Sequence, residues 1–151
     1  MAPNMGKFNR TNISKSDSTI ATILPTYYCL CGEYILVGNV ELSQLARRPI
    51  DKSFVLRNYA SDLHGPKHVY KINANSDKDA VYIHRQTVNG QNAFEKAWRR
   101  RCPRCELIVA YEMTDPRDKK MGAYTFVLAG ALSEEQTSVP PGAFNDEPSA
   151  P

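Results

Sequence analysis

The sequence predicts a mainly β fold, α+β at most, built from antiparallel sheets with one short helix. Three observations carry that prediction. Short runs of β-branched and aromatic residues recur along the middle of the chain, turn-forming clusters separate them, and only one stretch has a helical pattern. The ordered body starts at Thr26-Tyr27-Tyr28. The runs are Tyr34-Ile35-Leu36-Val37, His68-Val69-Tyr70-Lys71-Ile72, Ala80-Val81-Tyr82-Ile83-His84, Leu107-Ile108-Val109-Ala110-Tyr111 and Tyr124-Thr125-Phe126-Val127-Leu128. Between them stand Asn73-Ala74-Asn75-Ser76-Asp77, Val88-Asn89-Gly90 and Asp115-Pro116-Arg117-Asp118, whose residues favour turns. The helix is expected at Val40-Glu41-Leu42-Ser43-Gln44-Leu45-Ala46, with Asn39 as N-cap and Pro49 stopping it.

The 151 residues, 42% of them hydrophobic, suffice for one core and not for two. The expected boundaries are a disordered N-terminal tail over 1–24, a folded domain over 25–133, and a disordered C-terminal tail over 134–151. Both ends are polar or rich in Ser, Pro and Glu and lack periodic apolar positions. A formal charge of +3 from 19 basic and 16 acidic residues is too small for a nucleic-acid coat protein, so any basic surface must be local. No stretch approaches the ~20 apolar residues of a membrane span, and the first 22 residues lack the apolar core of a signal peptide. These features predict a cytoplasmic or nuclear protein. There the sequons at Asn9 and Asn12 have no glycosylating compartment, and paired cysteines favour a metal over disulfides.

Cys29-Leu30-Cys31-Gly32 and Cys102-Pro103-Arg104-Cys105 each lie between strand-like runs, which places each pair at the turn of a hairpin. Cys29, Cys31, Cys102 and Cys105 together offer the four soft donors that a structural zinc ion takes in a tetrahedron. Gly32 permits a tight turn and Pro103 pre-sets the second one, whereas Glu106 stands where many such turns carry glycine. The alternatives are four separate buried thiols or a redox CxxC. The redox reading needs a helix after the motif, and a strand is expected there. With about 70 residues between the pairs, a shared metal closes a long loop and couples folding to metal binding.

Alternation counted back from Cys102 puts Arg100 and Trp98 on the cysteine's face, where Arg100 neutralises the site, and turns Arg99 and Arg101 outward. An ordinary solvated cationic strand is the competing reading. Arg99 and Arg101, together with Arg47 and Arg48 in the segment before Pro49, are the candidate partner-binding residues; the latter two equally suit a soluble turn. Tyr27, Tyr28, Trp98 and Phe126 read as core anchors rather than a base-stacking platform. Only Trp98 with its neighbouring arginines approaches the mixture of aromatics and cations that single-stranded RNA requires. His64, His68 and His84 have no nucleophile or carboxylate motif beside them, no catalytic glycine loop or HExxH motif occurs, and a zinc ion closed by four cysteines has no open position. No enzyme activity, and no small-molecule substrate, is expected.

Tyr27-Tyr28-Cys29-Leu30-Cys31-Gly32, the Arg47-Arg48-Pro49-Ile50-Asp51 segment, Arg99-Arg100-Arg101-Cys102-Pro103-Arg104-Cys105 and the closing Thr125-Phe126-Val127 resemble the STING ER exit protein (STEEP) family, over about residues 26 to 132. The resemblance implies a non-enzymatic adaptor whose protein partners belong to membrane traffic. Such an adaptor promotes exit of cargo from the endoplasmic reticulum through membrane curvature and COPII vesicle formation with a lipid-kinase complex, and resides in the cytoplasm at the endoplasmic reticulum surface. The alternative it implies is a nuclear, spliceosome-associated protein contacting RNA or ribonucleoprotein partners. Members of that family continue into a long charged helical tail, where this sequence ends in a short Pro- and Glu-containing segment.

Overall fold

Ten strands and one 3-10 turn make up the computed structural model, which describes residues 24–143 apart from position 88. One antiparallel sheet has the order β10-β1-β2-β4, formed by β1 (Thr26–Cys29), β2 (Tyr34–Gly38), β4 (Tyr70–Ile72) and β10 (Leu132–Ser133). The other runs β3-β9-β8-β7-β5, from β3 (Phe54–Arg57), β9 (Tyr124–Val127), β8 (Ile108–Glu112), β7 (Asn92–Arg101) and β5 (Asn75–Ser76); β6 (Val81–Gln86) also pairs with β7. The mainly β, antiparallel expectation is therefore met. Each of the five runs read as strands contributes one.

The two sheets share one core. Tyr27, Ile35 and Leu36 from the first sheet belong to the same buried cluster as Leu56, Val109 and Val127 from the second. Gly38 lies where β2 meets β4, and a Cβ there would stand 2.3 Å from the Val69 carbonyl oxygen, so the close approach of the strands requires glycine. On its other face the second sheet carries a smaller cluster of Tyr111, Phe126, Ala97, Val55 and Ile83. Val55 and Tyr111 both pair with Phe126 across neighbouring strands, so these side chains form a cross-strand ladder.

The helix expected over residues 40–46 is reduced to one 3-10 turn, Leu42–Gln44. Competing partners explain the difference. The Asn39 side chain accepts from the Val69 N–H at 3.2 Å instead of capping a helix, the Leu42 N–H donates to the Tyr27 hydroxyl, and the Ala46 carbonyl accepts from the Val55 N–H. Two of the three tie the segment to sheet strands on either side of it. The C-terminal boundary expected at 133 falls inside the described residues. Beyond it, Gln136 donates its side-chain N–H to the Gly32 carbonyl at 2.8 Å, and residues 142–143 lie against Gly130, where a Cβ would stand 2.7 Å from the Gly142 oxygen. Chain beyond residue 133 thus packs on the body. The expected tail segments 1–23 and 144–151 lie outside the described residues.

Candidate metal centre

Each cysteine pair sits at a hairpin turn, one from each sheet. The first turn joins β1 to β2: the Cys29 N–H donates to the Glu33 carbonyl at 2.8 Å and the Gly32 N–H to the Cys29 carbonyl at 2.9 Å. The second joins β7 to β8, with the Cys102 N–H donating to the Leu107 carbonyl at 2.9 Å and the Glu106 N–H to the Cys102 carbonyl at 3.0 Å. Gly32 at φ +94° and Glu106 at φ +66° both take the left-handed conformation directly after the second cysteine of their pair. Glu106 therefore does glycine's backbone task with a side chain attached, at a cost of about 1–2 kcal/mol in local strain.

The two turns face one another. Cys29 Sγ lies 3.4 Å from Cys105 Sγ, Cys31 Sγ lies 3.6 Å from Cys102 Sγ, and all four sulfurs fall within 4.8 Å of one another. A disulfide needs about 2.05 Å, so the thiols are free. Four sulfurs held about 2.3 Å from one ion stand roughly 3.8 Å apart, and the observed separations bracket that value. Cys29 and Cys102, each 1% exposed, form the floor, while Cys31 and Cys105 lie nearer the surface. The four cysteines singled out from the sequence thus come together as one cluster, and no histidine joins them among the described residues.

Electrostatics set the protonation of the cluster. Burial first, then the neighbouring thiols, push Cys29 up to about 12, and burial likewise raises Cys102. Burial also pushes Cys31 upward, but the Glu33 N–H and the hydrogen-bonding thiols around it outweigh that, and its net shift is downward. Four thiolates at these distances repel one another. A divalent ion at their centre would reverse the balance and hold all four deprotonated.

The arginines are placed differently from what alternation predicts. Arg100 does not shield the sulfurs: it pairs with Glu112 at 3.1 Å and donates to the Ala74 carbonyl. The reason is a β-bulge between Arg100 and Arg101, which shifts the register and breaks an alternation counted back from Cys102. Arg104 takes the position at the site. Its N–H points at Cys102 Sγ from 3.4 Å and its guanidinium reaches the Cys31 carbonyl at 3.5 Å. Arg99 and Arg101 stand on either side of Asp77, at 3.6 and 2.9 Å, and remain about a third exposed.

Arg47 lies 4.4 Å over the Phe54 ring and donates to the Lys52 carbonyl. Arg48 belongs to a half-buried polar network that was not foreseen. It binds Glu95 at 2.6 Å and the Tyr111 hydroxyl, Arg85 bridges Glu95 to Asp51, and Tyr111 donates to Asp51. The Arg48 hydrogen bonds, against some opposing burial, hold the Glu95 carboxyl below its ordinary range. The one available signal was Arg48 and Asp51 standing three residues apart around a proline, which turns both toward the same hairpin. All four arginines proposed as partner-binding thus have partners within the chain, and Arg48, 18% exposed, is the most engaged. Of the four expected core anchors, Tyr27, Trp98 and Phe126 are buried, while Tyr28 is only partly so, its side chain turned to the opposite face of β1 from Tyr27.

Two antiparallel sheets stapled at a pair of hairpin turns by four cysteines define a small β domain with a candidate metal centre. The STEEP1 domain family matches residues 18–142, and the chain belongs to that family. No helix among the described residues is long and apolar enough to cross a membrane.

Proposed function

We propose that Cys29, Cys31, Cys102 and Cys105 hold one structural zinc ion, and that the domain so closed is a non-enzymatic adaptor assisting cargo exit from the endoplasmic reticulum. The observation that carries the metal assignment is four sulfurs within 4.8 Å of one another, drawn from two hairpins of two sheets. Four thiolates in a tetrahedral arrangement suit zinc, which brings no redox chemistry, and they leave no coordination position for substrate. The zinc then supplies folding free energy, while the protein surface does the binding.

Membership of the STEEP1 family supports the adaptor reading, with protein partners from membrane traffic and a location in the cytoplasm at the endoplasmic reticulum surface. Imaging a tagged chain beside a COPII marker tests it: overlap at exit sites is expected, and a purely nuclear signal would sink the traffic role. A second reading, contact with RNA or ribonucleoprotein partners in the nucleus, gains support from one feature of the surface. Tyr82 and Phe94 stand well exposed on strands of one hairpin.

A further inference from the structure

We propose that the outward face of the β6–β7 hairpin is a stacking surface for single-stranded RNA. Strand alternation sends Tyr82, His84 and Gln86 of β6 and Asn92, Phe94 and Lys96 of β7 to that face, whereas Trp98, next in the alternation, is buried. Register then pairs them: His84 stands opposite Phe94 and Tyr82 opposite Lys96. The His84 and Phe94 rings are 5.2 Å apart, and the Lys96 ammonium lies 5.9 Å from the Tyr82 ring and 5.3 Å from that of Trp98. Two exposed pairs result, the His84–Phe94 rings and the Lys96 ammonium over Tyr82. Tyr82 is 68% exposed and Phe94 71%, and neither belongs to the clusters that hold the core together.

Charge selects the occupant. Glu95, the carboxylate of this hairpin, points to the opposite face, where Arg48 and Arg85 bind it. The outward face is left with cation, imidazole, amides and rings, and with no carboxylate on either strand. Asp115, whose carboxyl feels Lys96, is held by both sides of the Arg117 guanidinium. A chain of phosphates carrying flat bases complements such a face. Aromatics on sheet strands stack bases in common RNA-binding modules, and a nearby cation meets the backbone. A bilayer fits less well, because the sequence at the hairpin's tip has a single apolar residue, Val88, among Thr87, Asn89, Gly90 and Gln91, where an inserting loop carries several. His84 Nε2 and Asn92 Oδ1, 3.0 Å apart, place polar groups beside the His84–Phe94 pair, where a ribose 2′-hydroxyl can be met.

This assignment deepens the RNA reading and is independent of the traffic role. The test is fluorescence anisotropy of the zinc-loaded full chain against a labelled short oligouridine, with oligothymidine and phosphatidylserine vesicles as parallel arms. Tyr82→Ala and Phe94→Ala should each weaken RNA binding by about tenfold. Lys96→Gln should flatten the salt slope by about 0.7, and all three variants should keep the zinc content and melting temperature of the parent. RNA binding that survives all three substitutions overturns this surface while leaving the RNA reading intact. No RNA binding by the parent overturns both. Equal affinity for oligothymidine overturns the choice of RNA, and vesicle binding lost in the same variants reassigns the face to a membrane.

Discussion

The two cysteine turns close through the same left-handed backbone conformation with different residues. In the first, Gly32 enters the left-handed conformation without strain; in the second, Glu106 is held there by its hydrogen bond to Cys102 and by the β7–β8 pairing behind it. What the centre requires is a dihedral angle and not a residue type. The turns also differ in length, one residue between cysteines against two, yet their sulfurs interleave, Cys29 with Cys105 and Cys31 with Cys102. Neither turn can complete the cluster alone.

The largest expected effect comes from removing a buried donor. Cys29→Ser and Cys102→Ser should destabilise the protein equally, by about 4 kcal/mol or more, because either one dissolves the same centre. Denaturant titration with parallel metal analysis checks this. Substitution at exposed Cys105 should cost less, and a first turn that tolerates loss of Cys29 would break the symmetry claimed here.

Proton competition separates the loaded protein from the metal-free one. In the metal-free protein Cys29 is raised from 9.0 to about 12, so the stability it contributes is full below pH 9 and lost as pH climbs toward 12. In the loaded protein the thiols are thiolates, so stability is present at neutral pH and lost on acidification as protons displace the ion. Melting temperature should therefore fall as pH rises above 9 in the chelated protein, and fall as pH drops below neutrality in the loaded one. Parallel curves would contradict the shared centre.

Away from both turns, Arg48→Ala should cost about 2 kcal/mol, since it strips Glu95 and Tyr111 of a half-buried partner. Zinc content should stay unchanged in that variant. The smallest effects have opposite signs at the two turns. Gly32→Ala should cost about 1 kcal/mol from backbone strain alone, because its new Cβ meets Thr137 Cγ2 and Gln136 Cγ at ordinary distances of 3.5 and 3.9 Å. Glu106→Gly should gain about 0.5 kcal/mol, as relieved strain of about 1–2 kcal/mol exceeds the added freedom of the unfolded chain. Calorimetry on the pair decides it, and a loss at both positions would show that the Glu106 side chain contributes something glycine cannot replace.

Much of this was legible in the sequence, and the failures have physical causes. Tyr34 to Val37 and Leu107 to Tyr111 announce their strands through β-branched and aromatic side chains, and the cysteine spacing announces the cluster. Phe54–Arg57 escapes notice because it is only four residues long and lies between polar neighbours, Ser53 and Asn58, that are themselves buried. Residues 40–46 carry a helical pattern, but bonds from Asn39, Leu42 and Ala46 to distant strands outcompete it. The bulge after Arg100 leaves no mark on composition, so alternation misassigned that arginine. Arg48, Arg85 and Glu95 each look like solvated charges until the hairpin folds over them.

Native mass spectrometry of the full chain, purified without added metal, tests the central claim most directly. One zinc ion per folded chain, released together with the folded charge-state distribution when Cys102 is replaced by Ser, is the expected result. A folded, soluble chain whose mass shows no bound metal would contradict it.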